Sequence, residues 1–448
     1  MMRNAALPGR ERPSKRVLMV AYHFPPLAGS SGVQRTLRFV QHLPTFGWQP
    51  LVLTANPRAY ERTSDDLQDE VPAGTVVERA FALDAARHLS IGGRYWAPLA
   101  RPDRWMSWRF DAVRRGLAMV RRFRPDVIWS TYPIATAHLI GSELARRTGL
   151  PWVADFRDPM AQDGYPADAA TWSSFDAIER TTVARAALCT FTTPGAVKLY
   201  RARYPQQAAR IHGLENGYDE DTFAAAEAAM AARGDADRGA LAPGAITLLH
   251  SGIVYPSERD PSHLLDAVRG LHDAGRVTPK RLRLRFRAAV HDESIRRLAS
   301  ERGVLDYIDL LPPIPYSQAL VEMLRADGLL VMQASNCNEQ VPAKIYEYMR
   351  ARRPIVALTD SKGDTAEVLR QVGVTRIAAL DDAPQIASLL EALLAGEVSG
   401  FIAERSQVDL ASRWNRSAGL ASLLEQSVGA PAPGPRDDAA VSARALAA

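Results

Sequence analysis

Short, continuous apolar runs alternate along this chain with longer segments in which apolar residues return every three or four positions. Residues 17–22 form the first such run, whose length predicts a strand buried on both faces, and residues 33–43 behind it carry a helical period. The run PLVLTAN is a second strand, and residues 57–102 then show no period. The alternation resumes with a helix at 110–124, a strand at 126–130, a helix at 135–148, a strand at 151–155, a helix at 175–188 and the strand LCTFTTP. After an Ala- and Gly-rich interval it starts again, with strands at 245–250, 282–289, 308–311 and 329–333 and helices between them. Alternation of this kind predicts an α/β protein with doubly wound parallel sheets, and its interruption predicts two of them. The expected boundaries are a flexible tail at 1–15, a first domain at 16–223, a linker at 224–243 and a second domain at 244–402. A helix at 403–426 is expected to return to the first domain, ahead of a disordered tail at 427–448.

Composition narrows the class. The 448 residues are 47% hydrophobic and 23% charged, which fits globular domains with sizeable cores. Two cysteines, Cys189 and Cys337, are too few for a disulfide framework and lack metal-ligand spacing, which points to a reducing cytoplasm and to no metal. The polar start is followed by a run too short for a signal-peptide core, and no apolar run reaches the ~18 residues of a spanning helix. A net charge of +5 leaves room for an anionic ligand or surface. No nucleic-acid partner is expected. In the segment 110–124, Phe110, Val113, Leu117 and Val120 fall on one side, with Arg114, Arg115, Arg121 and Arg122 opposite. That basic face reads either as a solvated helix surface or as a peripheral membrane contact at the inner face of the membrane.

Several loops fall where such sheets bind ligands, at the carboxyl ends of strands. Gly29 and Gly32 follow the first strand and permit close approach of backbone to a ligand. Their spacing is not the dinucleotide fingerprint, and the second strand ends without an acidic residue for a ribose, which disfavours a nicotinamide dehydrogenase. His138 lies near the end of the strand at 126–130, and Asp155, Arg157 and Asp158 lie at the end of the next. These four are acceptor-side candidates, with a structural Asp-Arg ion pair as the alternative. Zinc spacing, a Gly-Lys-Ser/Thr phosphate loop and a nucleophile elbow are all absent from the sequence.

The most informative stretch is NEQVPAKIYEYM, residues 338–349. Pro342 suits the first turn of a helix that runs to about residue 352, so Glu339 falls in the preceding loop and Glu347 inside the helix. A helix start with Lys344 beside it favours a phosphate. Carboxylate, phosphate cradle and second carboxylate then span about 10 Å, the layout of a nucleotide-sugar whose diol and hydroxyls suit charge-assisted bonds. Two solvated glutamates are the other reading.

Glu339 and Glu347 with seven residues between them, followed by RARRPIVAL, resemble the signature of family 4 glycosyltransferases. YHFPPLAGSSGVQR is similar to that family's first strand and glycine loop, and LENGYDEDTF to the segment closing its first domain. The resemblance runs from about residue 17 to about residue 426. It implies a GT-B fold, in which two Rossmann-like domains face each other across a cleft, and a sugar transferred with retention from a nucleoside diphosphate donor without cofactor. It makes Glu339 the contact to the donor sugar and Glu347 the contact to the ribose, and it turns Gly29 and Gly32 toward the diphosphate. TDSKGDTAEVL, with Thr365, is placed beside the donor. Family members carry an Arg just after the glycine matched by Gly252; here Ile253 follows, and Arg259 lies near the family's Lys position. Arg259 and Lys344 are therefore expected to supply the diphosphate's cations. The acceptor implied is a saccharide or lipid-linked saccharide of cell-surface polysaccharide synthesis. A nucleotide-sugar 2-epimerase of the same fold and a non-catalytic nucleotide-sugar binding protein are the alternatives.

Overall fold

Each of the two alternations folds into its own parallel sheet. The computed structural model describes residues 15–28, 31–90, 92, 94–232 and 239–429. Of the tails expected at 1–15 and 427–448, residues 1–14 and 430–448 lie outside the described residues, as does Gly29 of the glycine loop, while Lys15 begins a strand and residues 427–429 end a helix.

The first sheet has strands β1 (Lys15–Val20), β2 (Trp48–Ala55), β3 (Val76–Ala80), β4 (Val127–Thr131), β5 (Trp152–Arg157), β6 (Leu188–Phe191) and β7 (Ile211–Gly213). Their order is β3-β2-β1-β4-β5-β6-β7. Four consecutive residues of β1, Val17 to Val20, are fully buried, because helices cover both faces of a doubly wound sheet and leave no polar side. β3 falls in the stretch that shows no period; its VVERA is half-buried at the sheet edge and carries two charges, which hides it. The chain order reverses between β1 and β4, where a doubly wound sheet opens a crevice at its carboxyl edge.

The second sheet repeats the plan with β8 (Ile246–Ser251), β9 (Leu282–Arg287), β10 (Ile308–Leu311), β11 (Gly328–Gln333), β12 (Ile355–Thr359) and β13 (Ile377–Ala378). The order is β10-β9-β8-β11-β12-β13, so its reversal lies between β8 and β11.

By contact the chain forms two compact units, residues 1–192, 196–215 and 414–448 in one, and 193–195 and 216–413 in the other. Two domain expectations need correction. The Ala-rich interval at 224–243 is not a free linker over its first part, because Glu220–Ala232 is a helix. Phe223 and Ala226 enter the core of the second unit, and Arg350 bonds both Glu220 and Glu227. Alanine is the best helix former, and two buried side chains dock the segment. The last long helix runs from Arg413 to Gly429 and not from residue 403; a short helix, Arg405–Asp409, precedes it. Its Leu420 and Leu424 pack with Val17, Met19 and Trp129 in the first unit, and Trp414 meets Phe46 with ring centroids 4.9 Å apart.

The helix Trp108–Phe123 buries Trp108, Ala112, Val113, Gly116 and Met119. Phe110, expected on that face, is 73% exposed. Its arginines are not a uniform cationic face either: Asp111 bonds both Arg114 and Arg115, and Glu78 takes Arg115 as well. Among the described residues no helix is long and apolar enough to cross a membrane.

Candidate active site

The second sheet's reversal point gathers the strongest chemistry. At the end of β8 the backbone turns at Gly252, whose φ of +113° is strained for any L residue, while its N–H donates to the Arg287 carbonyl at 2.8 Å. A β-carbon there would stand 3.2 Å from Lys344 Nζ. Lys344 opens the helix Lys344–Ala351, which Arg352 ends in a left-handed conformation ahead of Pro354. The helix is anchored from below, since the Tyr348 hydroxyl accepts the Ser251 N–H at 3.0 Å.

Lys344 Nζ lies 3.1 Å from His250 Nε2, and His250 Nδ1 lies 3.0 Å from the Leu330 carbonyl. A carbonyl only accepts, so Nδ1 carries the imidazole proton, and Nε2 is left as the acceptor for the ammonium. His250 is 1% exposed, and burial with Lys344 beside it holds its pKa well below the ordinary value. Burial and then Arg259 push Lys344 down to about 7, with Glu347 acting in the other direction.

Arg259 folds back over its own loop. Its Nη1 donates to the Ile253 carbonyl at 2.9 Å, its guanidinium covers the Tyr255 ring at 5.1 Å, and Glu258 stands 3.9 Å away. Glu347 is half-buried and accepts from the Tyr316 hydroxyl at 2.7 Å; burial raises its carboxyl above the ordinary value. Tyr316 is thereby a hydrogen-bond partner of Glu347.

Glu339 sits on a turn whose backbone is clamped on every side. Gln333 Nε2 donates to the Cys337 carbonyl at 2.7 Å and to the Gln340 carbonyl at 3.0 Å. The Asp364 N–H donates to the Asn338 carbonyl at 2.8 Å, and Asn338 Nδ2 to Asp360 at 2.7 Å. Glu339 itself is exposed. A rigid loop thus carries an unburied carboxylate. Thr365 was expected to touch the donor, but it is 1% exposed and its hydroxyl donates to the Gln340 carbonyl at 3.1 Å. It positions the Glu339 loop instead, because the helix Asp364–Gln371 begins directly against that loop.

The helix start expected to cradle a phosphate has fewer donors than an open terminus. The Ile345 N–H bonds the Pro342 carbonyl at 3.0 Å and the Tyr346 N–H the Ala343 carbonyl at 3.3 Å, a tight turn that leaves the cation work to Lys344.

In the first unit the acceptor-side candidates separate into buried and accessible. Asp155 is fully buried: Arg35 holds both its oxygens, Nε at 3.0 Å and Nη2 at 2.9 Å, and the hydroxyls of Thr131 and Thr190 each donate at 2.8 Å. Burial opposes its charge, but Arg35 prevails and lowers its pKa. The ion-pair alternative is therefore the right one for Asp155, with Arg35 as the partner rather than Arg157. His138 is also fully buried, its Nδ1 2.8 Å from Ser130 Oγ, and burial pushes it down to about 3. Neither side chain has a surface for an acceptor. Asp155 and Arg157 flank a break in the register with β6, and Arg157, at φ +64°, turns out of the strand. Its guanidinium lies under Gly32, where a β-carbon would stand 2.6 Å from Arg157 Nη1 and 2.4 Å from His23 Nδ1. Asp158 is half-buried, 3.4 Å from the Thr192 hydroxyl. The half-buried Arg157 and Asp158 therefore remain as candidates at the carboxyl edge, with His23 and the buried Gly32 beside Arg157.

His250, Arg35 and His23 were missed. For His23 and His250 a polar residue at the end of an apolar run was the available signal, and single residues of that kind are common; Arg35, inside the helix Ser31–His42, left none. Among the described residues no group of three His, Cys, Asp or Glu side chains is placed to hold a metal ion. Both cysteines are buried, and burial pushes Cys189 up to about 12.

Two reversing parallel sheets with loops at their carboxyl edges define the GT-B class, built from two Rossmann-like domains. Residues 31–217 match the glycosyl transferase 4-like domain family. The fold is shared with sucrose-phosphate synthase from Thermosynechococcus elongatus at TM-score 0.62 and 14% identity, over 92% of this chain and 98% of that one. Anabaena HepE in complex with UDP and glucose aligns at TM-score 0.62 and 12% identity, over 92% and 99%. The α,α-trehalose 6-phosphate synthase of Burkholderia multivorans aligns at 0.62 and 14%, over 92% and 98%. No curated protein sequence matches. The family match covers residues 31–217 alone, and over its length the chain shares the fold of these structures.

Proposed function

We propose that this chain is a family 4 glycosyltransferase that takes a sugar from a nucleoside diphosphate donor, with retention, and passes it to a saccharide or lipid-linked saccharide of cell-surface polysaccharide synthesis. The observation that carries the donor assignment is Lys344 Nζ beside the bare backbone of Gly252, with a neutral imidazole as its hydrogen-bond partner and Arg259 near enough to depress its pKa. Such a pair is electrostatically incomplete without an anion, and a diphosphate completes it.

In this reading Lys344 and Arg259 stabilise the charge that grows on the departing diphosphate, already aimed before reaction. His250 keeps the Lys344 ammonium in place from beneath. Glu347, steadied by Tyr316, accepts from the ribose hydroxyls, and Glu339 on its clamped turn grips the sugar. Gly32 and Arg157 form the corresponding group of the first unit. HepE has been solved with UDP-glucose, which makes that donor the first to test. The decisive experiment incubates the chain with pooled nucleotide-sugars, with and without acceptor, and reads products by mass spectrometry. Nucleoside diphosphate released only with acceptor supports transfer. Isomerised donor without acceptor indicates the epimerase, and tight binding with neither product indicates the binding protein.

A further inference from the structure

Strand β9 reads LRLRFR, and its alternation sends Leu282, Leu284 and Phe286 into the apolar core on one face of the second sheet and Arg283, Arg285 and Arg287 to the other. A doubly wound sheet ordinarily buries apolar side chains on both faces. Here Arg285 and Arg287 meet an open basin of about 560 Å³, walled by Ala225 and Ala229 of the helix Glu220–Ala232 and by Ile314 and Val321. None of Gly252, Arg259, Glu339, Lys344 and Glu347 lines it.

The charges in the basin do not balance. Arg283 is paired with Asp309. Glu322, itself buried, is taken by Arg287 through two bonds of 2.8 and 2.7 Å. Arg285 is left with long contacts only, 3.4 Å to Asp309 and 3.5 Å to both Glu322 and the Leu241 carbonyl, and its Nε is buried without an acceptor. Arg325 reaches the basin with a single bond, 3.1 Å to the Gly239 carbonyl. Three guanidinium groups therefore line the basin against one carboxylate, leaving two positive charges in excess among the described residues. A guanidinium withdrawn from water without a full complement of acceptors is costly, and an anion supplies what is missing.

We propose that this basin is a second ligand site, separate from the donor residues, that takes a phosphate monoester carrying an apolar body. The phosphate, with roughly two negative charges at neutral pH, matches the excess and bridges Arg285 and Arg325. The apolar body lies against Ala225, Ala229 and Val321. Glu322 keeps Arg287 in place and repels a ligand that would sit deeper.

Phenyl phosphate is the probe, titrated calorimetrically into the full chain. Saturable binding is expected, with benzoate and inorganic phosphate each weaker because each lacks one half of the match. Arg285→Met should lose about tenfold or more in phenyl phosphate affinity while keeping its UDP affinity, and Lys344→Ala should do the reverse. If Arg285→Met does not fold, Ala229→Phe fills the basin from its exposed wall and must produce the same loss. No saturable binding to the parent chain overturns the proposal. So does binding that the basin variants keep and Lys344→Ala abolishes.

Discussion

Lys344 stands between opposing demands: it must be a cation to hold a diphosphate, yet burial and Arg259 bring its pKa down to about 7. His250 resolves part of this by offering a lone pair rather than a second charge, and Glu347 opposes the depression from the same helix. An arriving diphosphate favours the ammonium, so binding should take up a proton. UDP affinity is expected to be greatest below about pH 7 and to fall as the pH rises above it, read by titration between about pH 6 and about pH 9 in buffers of different ionisation enthalpy. A flat profile with no proton uptake would remove Lys344 from the phosphate. Glu347→Ala should weaken UDP about 10- to 100-fold, the worth of a charge-assisted bond, whereas Glu339→Ala should lower kcat severely and leave UDP affinity within about twofold. Equal effects of the two variants on UDP would dissolve the division of labour between them.

Elements decide which polar residues serve the site and which serve the fold. Asp155 and Arg157 are two residues apart at one strand end, but Asp155 still points into the sheet's buried layer, while the break after it turns Arg157 outward. Asp155→Asn leaves Arg35 buried with a neutral partner, and a loss of about 3–5 kcal/mol is expected in denaturant unfolding. A variant that folds as well as the parent would return Asp155 to the acceptor candidates. Gly32 opens the helix Ser31–His42 beside the His23 ring and the Arg157 guanidinium. Gly32→Ala forces both to move, so a lowered Tm, equivalent to about 1–3 kcal/mol, should accompany any loss of activity. The clamped turn of Glu339 follows the same logic: Gln333 and Thr365 give their hydrogen bonds to its backbone and Asn338 ties it to Asp360, which keeps an exposed carboxylate in one place.

At the scale of the molecule, each unit carries its own reversing sheet and its own core. The proposed donor residues Gly252, Arg259, Glu339, Lys344 and Glu347 all belong to the second unit. Saturating UDP should therefore slow hydrogen exchange first around residues 250–259, 338–347 and 363–367. Protection confined to the first unit would misplace the donor.

Most of the architecture was legible because a strand buried on both faces and an amphipathic helix leave different periods in the sequence, and because Glu339, Lys344 and Glu347 lie within one short stretch. β3 was not legible, since an edge strand tolerates charges, and neither was the docked helix of Glu220–Ala232, whose alanines carry no contrast between faces.

The sequence by itself determined the alternation of strands and helices, the glycine loop and the spaced glutamates, because these depend on neighbours along the chain. Only the tertiary structure decided that Asp155 answers Arg35, that His250 underlies Lys344 and that Thr365 supports a loop rather than a ligand. Those pairings join residues separated by 120, 94 and 25 positions. Burial and hydrogen-bond partnership at such separations are set by which strand ends the sheet brings side by side, a choice no local pattern records.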